Sequence, residues 1–325
     1  MYASTQVANM KKALVSLCCF TVLTLISIYI FIPAQLDIST GRAMKANTNV
    51  LFRYLSDEAK WDEWWPGESK EVRLSPNNPP KFNNYTYRVT KKLYNVVEVE
   101  TIKKAQIIAG KIIIIPLAED SLIVQWRNTF ATSINPFVRV QQYLQAVDIK
   151  KNMAVLLDSL KSFSEDKEKV YEFNMGFTAL RDTFLVATKT VTTNYPSTDV
   201  IYELVENLRT YIATRKAKEV DFPMLNITKK DSIHYEIMVA IPTNKKLNGT
   251  RNIFFKRIVD YRDQILITEV KGGPEIIKKA YDELNTYMKD YNLTSPVIPW
   301  ESLITDRSKE TDSTKWITKI YIPIA

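Results

Sequence analysis

The sequence predicts an α+β protein in which one transmembrane helix precedes two folded domains. Three observations lead to this prediction: a charge-free apolar run near the N-terminus, strand patterns interleaved with amphipathic helices, and an internal repeat in the second half. A chain of 325 residues is long enough for two domains. We divide it into residues 1–36, 37–165 and 166–325.

Residues 13–32 form the predicted transmembrane helix. These twenty residues carry no charge, follow Lys11 and Lys12, and end at Pro33. As a helix they span roughly 30 Å, the thickness of a bilayer's hydrocarbon core. A cleaved signal peptide is the alternative, but its apolar region is usually about 7–15 residues long. We therefore expect an uncleaved single-pass anchor in a bacterial cell membrane, with a cytoplasmic N-terminus and both soluble domains on the outer, periplasmic side.

Residues 37–165 read as one α+β domain. An opening strand at 37–46 precedes a short helix, which runs into a turn holding three tryptophans and ending at Pro66 and Gly67. Strand patterns follow at 82–90, 93–103, 105–116 and 121–130. A long amphipathic helix begins at Pro136, with a break expected near Lys150.

This order, with the tryptophan turn at residues 61–66 and the closing helix at 152–161, resembles the START-like superfamily, also called polyketide-cyclase/dehydrase-like or SRPBCC. The resemblance implies a helix-grip fold, in which a curved sheet closes around the long helix and encloses a cavity for lipids or other apolar molecules. Trp61, Trp65 and Trp126 are then candidate ligand-binding residues. The alternative is that these rings are ordinary core.

Residues 166–325 contain an internal repeat. Residues 184–186 align with 265–267, and 241–243 align with 322–324, both at an offset of 81. Each copy reads as strand, helix, strand, strand (βαββ), with helices at about 198–214 and 274–290. Two such units side by side predict a pseudo-two-fold sheet with a cleft between the helices.

The second copy closely resembles the gyrase-inhibitor-like (GyrI-like) effector-binding family. The matching features are the helix-opening turn Gly272-Gly273-Pro274, the helix face with Tyr281 and Leu284, Pro299-x-Glu301 and Asp306 on the crossing strand, and the final Ile-Tyr-Ile-Pro. Members bind bulky, often cationic or amphipathic small molecules in the central cleft. Some members are the sensing half of transcription regulators, and others hydrolyse strained natural products.

One departure from the family bears on the ligand. Lys319 stands where the family usually has an acid before Ile-Tyr-Ile-Pro, and its repeat mate is Met238. A lysine there favours an anionic or neutral ligand over a cation. Glu236 is a candidate to replace the family's missing acid. The candidate ligand-binding residues of this domain are Met238, Tyr281, Trp300, Glu301, Trp316, Lys319 and Tyr321.

Rare residue types exclude several function classes. The chain has one histidine, His234, and two cysteines, Cys18 and Cys19, so histidine-based metal sites, Ser-His-Asp triads and disulfide frameworks are not expected. Its seven glycines form no nucleotide-phosphate loop. We therefore expect no metal and no organic cofactor. The net charge of +8 is dispersed in lysine pairs, so no nucleic-acid partner is expected.

Together these features predict a membrane-anchored protein that binds small apolar or amphipathic molecules. An alternative is a cofactor-independent hydrolase of reactive lipophilic compounds, with Glu301 or Glu236 as general base and Tyr321 as proton donor. A third possibility is that both cavities are filled and the domains are interaction modules.

Overall fold

Two antiparallel sheets, one in each half of the chain, organise the fold. The structure is a computed structural model and describes residues 2–66, 78–258 and 261–325. The chain divides into two units, the first ending at Asp166 and the second beginning at Lys167. The mixed α+β class is confirmed for both halves, whereas the START-like assignment of the first half stays a prediction.

The first unit contains four helices and six strands within the described ranges. They are α1 Tyr2–Phe31, β1 Gln35–Met44, α2 Thr48–Leu55, α3 Trp61–Trp64, β2 Lys81–Phe82, β3 Tyr85–Leu93, β4 Val96–Lys103, β5 Gln106–Ala118, β6 Ser121–Ala131 and α4 Pro136–Ser164. The strand order is β1-β6-β5-β4-β3-β2, and α4 lies against β1. The predicted tryptophan turn is therefore α3, although its Gly67 lies outside the described residues.

The long helix α4 has no break, so the prediction of one near Lys150 is wrong. Its buried residues continue through this point at spacings of three and four, from Ala146 and Ile149 to Met153 and Leu156. Lys150 lies on the exposed side of the same turns. One apolar stripe therefore runs along the whole helix and keeps it continuous.

The end of α1 is fixed to the first unit by polar contacts. Arg139 Nε and Nη2 donate to the carbonyl of Ile32 at 2.8 and 2.6 Å, and the Tyr29 hydroxyl donates to the Ile134 carbonyl. A cation at a helix C-terminus satisfies unpaired carbonyls and favours the helix dipole. Residues Lys12–Phe31 of α1 are the one helical stretch in the described ranges that is long and apolar enough to cross a membrane, by length and composition.

The second unit is one eight-stranded antiparallel sheet with two long helices. Its elements are α5 Lys167–Tyr171, β7 Met175–Leu180, β8 Thr183–Thr192, α6 Thr198–Thr214, β9 Met224–Lys229, β10 Tyr235–Thr243, β11 Ile253–Ile258, β12 Tyr261–Lys271, α7 Pro274–Asp290, β13 Trp300–Leu303 and β14 Ile317–Pro323. The strand order is β11-β8-β10-β9-β13-β14-β12-β7. The two halves of this order mirror each other about the β9–β13 pair, as a duplicated βαββ unit requires.

The pairing register refines the repeat. Pro242 and Pro323 occupy equivalent places, but their partners are Leu185 and Ile265, so the offset between β8 and β12 is one residue shorter than the predicted 81. A matched pair of hydrogen bonds supports this register, since Thr188 and Thr268 each donate to the carbonyl before an edge strand. The edge strands are exchanged between the two repeats. β7 precedes the first repeat in the chain but pairs with β12 of the second, and β11 precedes the second repeat but pairs with β8 of the first.

The turn before α7 explains the Gly-Gly-Pro sequence. Gly272 has φ of +147°, a region that favours glycine, and a Cβ there would lie 2.8 Å from the Ile276 side chain. Pro274 begins the helix, where its missing N–H costs nothing. This turn places the first residues of α7 beside β13.

Candidate functional site

A cleft in the second unit holds a buried acid. It encloses about 530 Å³ and is lined by residues of β9, β13, α7 and the loop before α6. Small-molecule pockets typically have volumes of roughly 300–1,000 Å³. We call it the acid cleft and define it by Tyr195, Ile227, Ile277, Tyr281 and Glu301.

Glu301 reaches the cleft because of its place on β13. Alternate residues of a strand point to opposite faces, so Glu301 and Leu303 share the face that packs on α6. The residue is 7% exposed. At the equivalent place in the first repeat stands Leu225, which pairs directly with Glu301 across β9 and β13. Only one half of the duplicated sheet therefore carries an acid here.

Arg307 neutralises part of this acid. Its Nη2 donates to Glu301 Oε2 at 3.1 Å and to Thr318 Oγ1 at 2.8 Å, and both ends of the ion pair are buried. Among the described residues, no group donates to Glu301 Oε1, which leaves this oxygen available to a molecule in the cleft.

Burial also changes the acidity of the groups in the cleft. It raises the pKa of Glu301 above its ordinary value, and the charge and hydrogen bond of Arg307 only oppose this. Burial raises the pKa of Tyr281 and of Tyr195 as well, and the nearby Glu301 carboxylate adds to both shifts. Both phenols are therefore neutral hydrogen-bonding groups at physiological pH.

Trp316 supports Arg307. The guanidinium carbon of Arg307 lies 4.8 Å from the centroid of the Trp316 ring, and the indole N–H donates to the Glu310 carbonyl at 2.8 Å. The Arg307 backbone N–H donates to the Tyr202 hydroxyl at 2.7 Å. Of the predicted site residues, Trp316 thus lies behind the ion pair, while Tyr281 and Glu301 lie in the cleft.

The other predicted residues of this domain lie on the opposite face of the sheet. Trp300 pairs with Tyr321 across β13 and β14, and their rings stack at 5.3 Å between centroids. Lys319 shares that face by strand alternation and forms an exposed ion pair with Glu269 at 3.4 Å. The structure therefore separates Tyr321 from Glu301, which the hydrolase alternative needed together.

Met238 and Glu236 also lie on that opposite face. They alternate with Ile237 and Val239, which pack in the core beneath α6. Glu236 is held by Lys189 and Lys230 at 3.2 and 3.0 Å, and these contacts lower its pKa. It is therefore an ionised surface carboxylate, away from the acid cleft.

The tryptophans of the first unit pack on one another. Trp61 stacks on Trp65 at 5.0 Å between centroids, Trp65 meets Tyr87 at 5.3 Å, and Tyr87 meets Trp126 at 5.7 Å. All four rings are buried. Their ring contacts are those of a packed aromatic cluster, and a ligand role for Trp61, Trp65 and Trp126 stays a prediction.

Among the residues of the site that were not predicted, Tyr195 and Arg307 are the two whose electrostatic interactions with Glu301 are described above. Tyr195 lies in the loop before α6, where no periodic pattern exists, and Arg307 lies in the loop after β13. Arg307 is six residues from Glu301, a spacing typical of no motif. No group of histidine, cysteine, aspartate and glutamate side chains that could hold a metal ion is found in the described ranges.

Comparison with known proteins gives fold-level similarity only. No family model and no curated protein sequence matches the chain. Among solved structures, an EcmrR–DNA complex is 16% identical, with a TM-score of 0.42, over 59% of this chain and 72% of that chain. SAV2435 bound to tetraphenylphosphonium is 15% identical, with a TM-score of 0.32, over 47% and 93%. A hydrolase from Listeria innocua is 7% identical, with a TM-score of 0.35, over 47% and 91%. With TM-scores below 0.5, these similarities carry no argument about activity.

Proposed function

We propose that this protein is a membrane-anchored small-molecule-binding protein whose second unit, a GyrI-like domain, captures an apolar or amphipathic ligand in the acid cleft. The observation that carries this proposal is the buried carboxylate of Glu301, with one oxygen unpaired by protein and facing a hollow of about 530 Å³. A ligand that donates a hydrogen bond to this carboxylate oxygen gains affinity, because hydrogen bonds to charged groups are stronger than those between neutral groups.

The charges of the cleft favour a neutral ligand. Glu301 is paired with Arg307, and the rim residues Glu275 and Lys278 carry opposite charges. With the charge of Arg307 included, these four groups sum to no net charge that would attract an ion. Tyr281, Tyr195 and Ile277 supply apolar surface, whose burial contributes about 25 cal/mol per Å². A neutral amphipathic molecule with one hydroxyl or N–H group matches this arrangement.

Helix α1 supports the anchoring part of the proposal. Its residues Lys12–Phe31 carry one charge and are exposed along their length, as a lipid-facing helix would be. Exposed apolar side chains continue beside its end, at Ile134 and on α4 at Phe137 and Leu144. We propose that the bilayer covers α1, and that the first unit is a START-like domain next to it. We propose that both units outside α1 lie on the periplasmic side, as the lysines before the apolar run predict.

The test uses the full chain in lipid nanodiscs and two probes of similar shape. Triphenylmethanol is neutral and carries a hydroxyl, whereas tetraphenylphosphonium is a cation. Isothermal titration is expected to show tighter binding of the alcohol. The matched variant is Glu301→Leu with Arg307→Met, because removing both charges leaves no unpaired ion in the core.

This double variant should weaken triphenylmethanol binding about tenfold, the worth of a hydrogen bond to a charged acceptor. Glu236→Gln, on the opposite face, serves as the control and should leave the affinity unchanged. Equal affinity in the double variant and the unaltered chain would show that the acid cleft is not the binding site.

A further inference from the structure

The opposite face of the same sheet holds a second hollow. It encloses about 330 Å³, and Leu185, Met224, Met238, Ala240, Trp300 and Lys256 are among its lining residues. We call it the rear pocket. Its lining has Asn226 as the one residue in common with the acid cleft, and the sheet lies between the two. The rear pocket is therefore a separate site from the one in the proposed function.

The internal repeat shows how the lining differs between the two halves of the sheet, since Met224, Met238 and Ala240 come from the first half and Trp300 and Pro323 from the second. In the first half Ala240 pairs with Met224, and in the second half the equivalent pair is Tyr321 with Trp300. The two aromatic rings stack on each other in the second half. The small side chain of Ala240 occupies less of the corresponding space in the first half, and Ala240 lines the hollow.

Lys256 gives the pocket a charge. It lies on β11 between Phe254 and Ile258, which pack in an apolar cluster with Leu185 and Ala240. Its ammonium lies 5.8 Å from the centroid of the Phe254 ring. Within residues 78–258 and 261–325, no carboxylate forms an ion pair with Lys256, while its neighbour Arg257 is paired with Asp182. The residue at the equivalent place in the other half is Thr178.

We infer that the rear pocket binds a single-chain amphiphile with an anionic head group, its alkyl chain in the hollow over Ala240 and its head on Lys256. An apolar cavity with one unpaired, partly buried cation at its wall is complementary to this chemistry and to neither a cation nor a plain hydrocarbon. A fatty carboxylate and a single-chain lipid phosphate both satisfy it, and the test distinguishes them.

The experiment is photolabelling of the full chain in phosphatidylcholine vesicles. Three diazirine-bearing probes share one dodecyl chain and differ in the head group: dodecanoic acid, dodecyl phosphate and dodecanol. Mass spectrometry maps the labelled peptides. We expect saturable labelling around Met224 and Met238 by one or both anionic probes, and weaker labelling there by the alcohol. The tighter of the two anions identifies the head group.

Two lysines provide matched variants. Lys256→Met should raise the half-saturating concentration of the preferred anion about tenfold, as expected for loss of a charged hydrogen bond, and leave the alcohol unchanged. The ammonium of Lys246 lies 5.0 Å from the ring centroid of Phe255, a residue of β11 whose side chain points to the opposite face from Lys256. Lys246→Met removes the same charge and should have no effect. Lys256→Arg keeps the charge and should retain labelling, and Ala240→Leu should abolish it by filling the hollow.

Equal half-saturation by the alcohol and the anions, or labelling confined to peptides outside the rear pocket, would overturn the inference. An unaltered response in Lys256→Met would do so as well. If Lys256→Met does not fold, the contrast between Lys256→Arg and Ala240→Leu decides the question. Failure of triphenylmethanol to bind the acid cleft leaves this result untouched, because the two linings differ.

Discussion

Arg307 sets the charge of the acid cleft. It lies in the core of the second unit, where Glu301, Thr318 and the Trp316 ring surround its guanidinium. Removing one member of a buried ion pair leaves the other charge unpaired and typically costs about 3–5 kcal/mol. Arg307→Met should therefore destabilise the second unit strongly at neutral pH.

This cost should depend on pH in a defined direction. Burial already raises the pKa of Glu301, and loss of Arg307 raises it further. A carboxyl whose pKa is higher in the folded state binds protons preferentially when folded, so stability is retained at low pH and lost as pH rises through the folded pKa. Urea unfolding of Arg307→Met should thus show less destabilisation at acidic than at neutral pH.

The double variant Glu301→Leu with Arg307→Met is the control for that measurement. It leaves no buried charge, and most of the stability lost in the single variant should return. If the single variant has the same free energy of unfolding as the unaltered chain at every pH, the ion pair is not buried as described.

At the scale of elements, α1 offers a direct test through its cysteines. Cys18 and Cys19 are the only cysteines of the chain and lie in the middle of the apolar helix. If α1 crosses a bilayer, a membrane-impermeant maleimide should leave both thiols unmodified in intact vesicles, and should label them after dissolution in detergent and denaturant.

Lys150→Cys provides the positive control, because position 150 is exposed on α4. In whole cells the side from which this thiol is labelled also reports the orientation of the body. Rapid labelling of Cys18 and Cys19 in intact vesicles would show that α1 is not embedded in lipid.

Elements were predictable where one pattern determined them, and less so where two patterns competed. The apolar positions of α4 and the helices of the repeat follow from spacing, although the prediction of a break in α4 near Lys150 was wrong. The register of β8 does not, because Phe184, Leu185 and Val186 are all apolar and hide which face each one takes. A shift of one residue in the pairing register moves every side chain of a strand to the opposite face. In the structure Leu185, not Phe184, is the equivalent of Ile265.

The same alternation limited the prediction of the site. Glu301 and Tyr281 were predicted and do line one cleft, since Glu301 lies on the helix-facing side of β13 and Tyr281 lies on α7. Trp300 is the direct neighbour of Glu301 on β13, so the two side chains had to point to opposite faces. Arg307 and Tyr195 come from loops, whose paths no periodic pattern fixes.

At the scale of the whole molecule, both proposed ligand sites belong to the second unit. Both the acid cleft and the rear pocket are lined entirely by residues after Lys167. That unit has its own sheet and its own core beneath α6. In the first unit the buried rings of Trp61, Trp65 and Tyr87 pack on one another, the first two stacked and the last two edge to face.

A fragment of residues 167–325 should therefore fold by itself and bind triphenylmethanol with the affinity of the full chain. No part of either lining is lost by the cut at Asp166, and a single domain of this size is expected to unfold in one cooperative transition. Circular dichroism during heating measures the transition, and titration calorimetry measures the affinity. The complementary fragment 37–166 is the control and should not bind the probe. Binding by 37–166 alone would move the ligand site into the first unit and give its tryptophans the role that their packing here does not require.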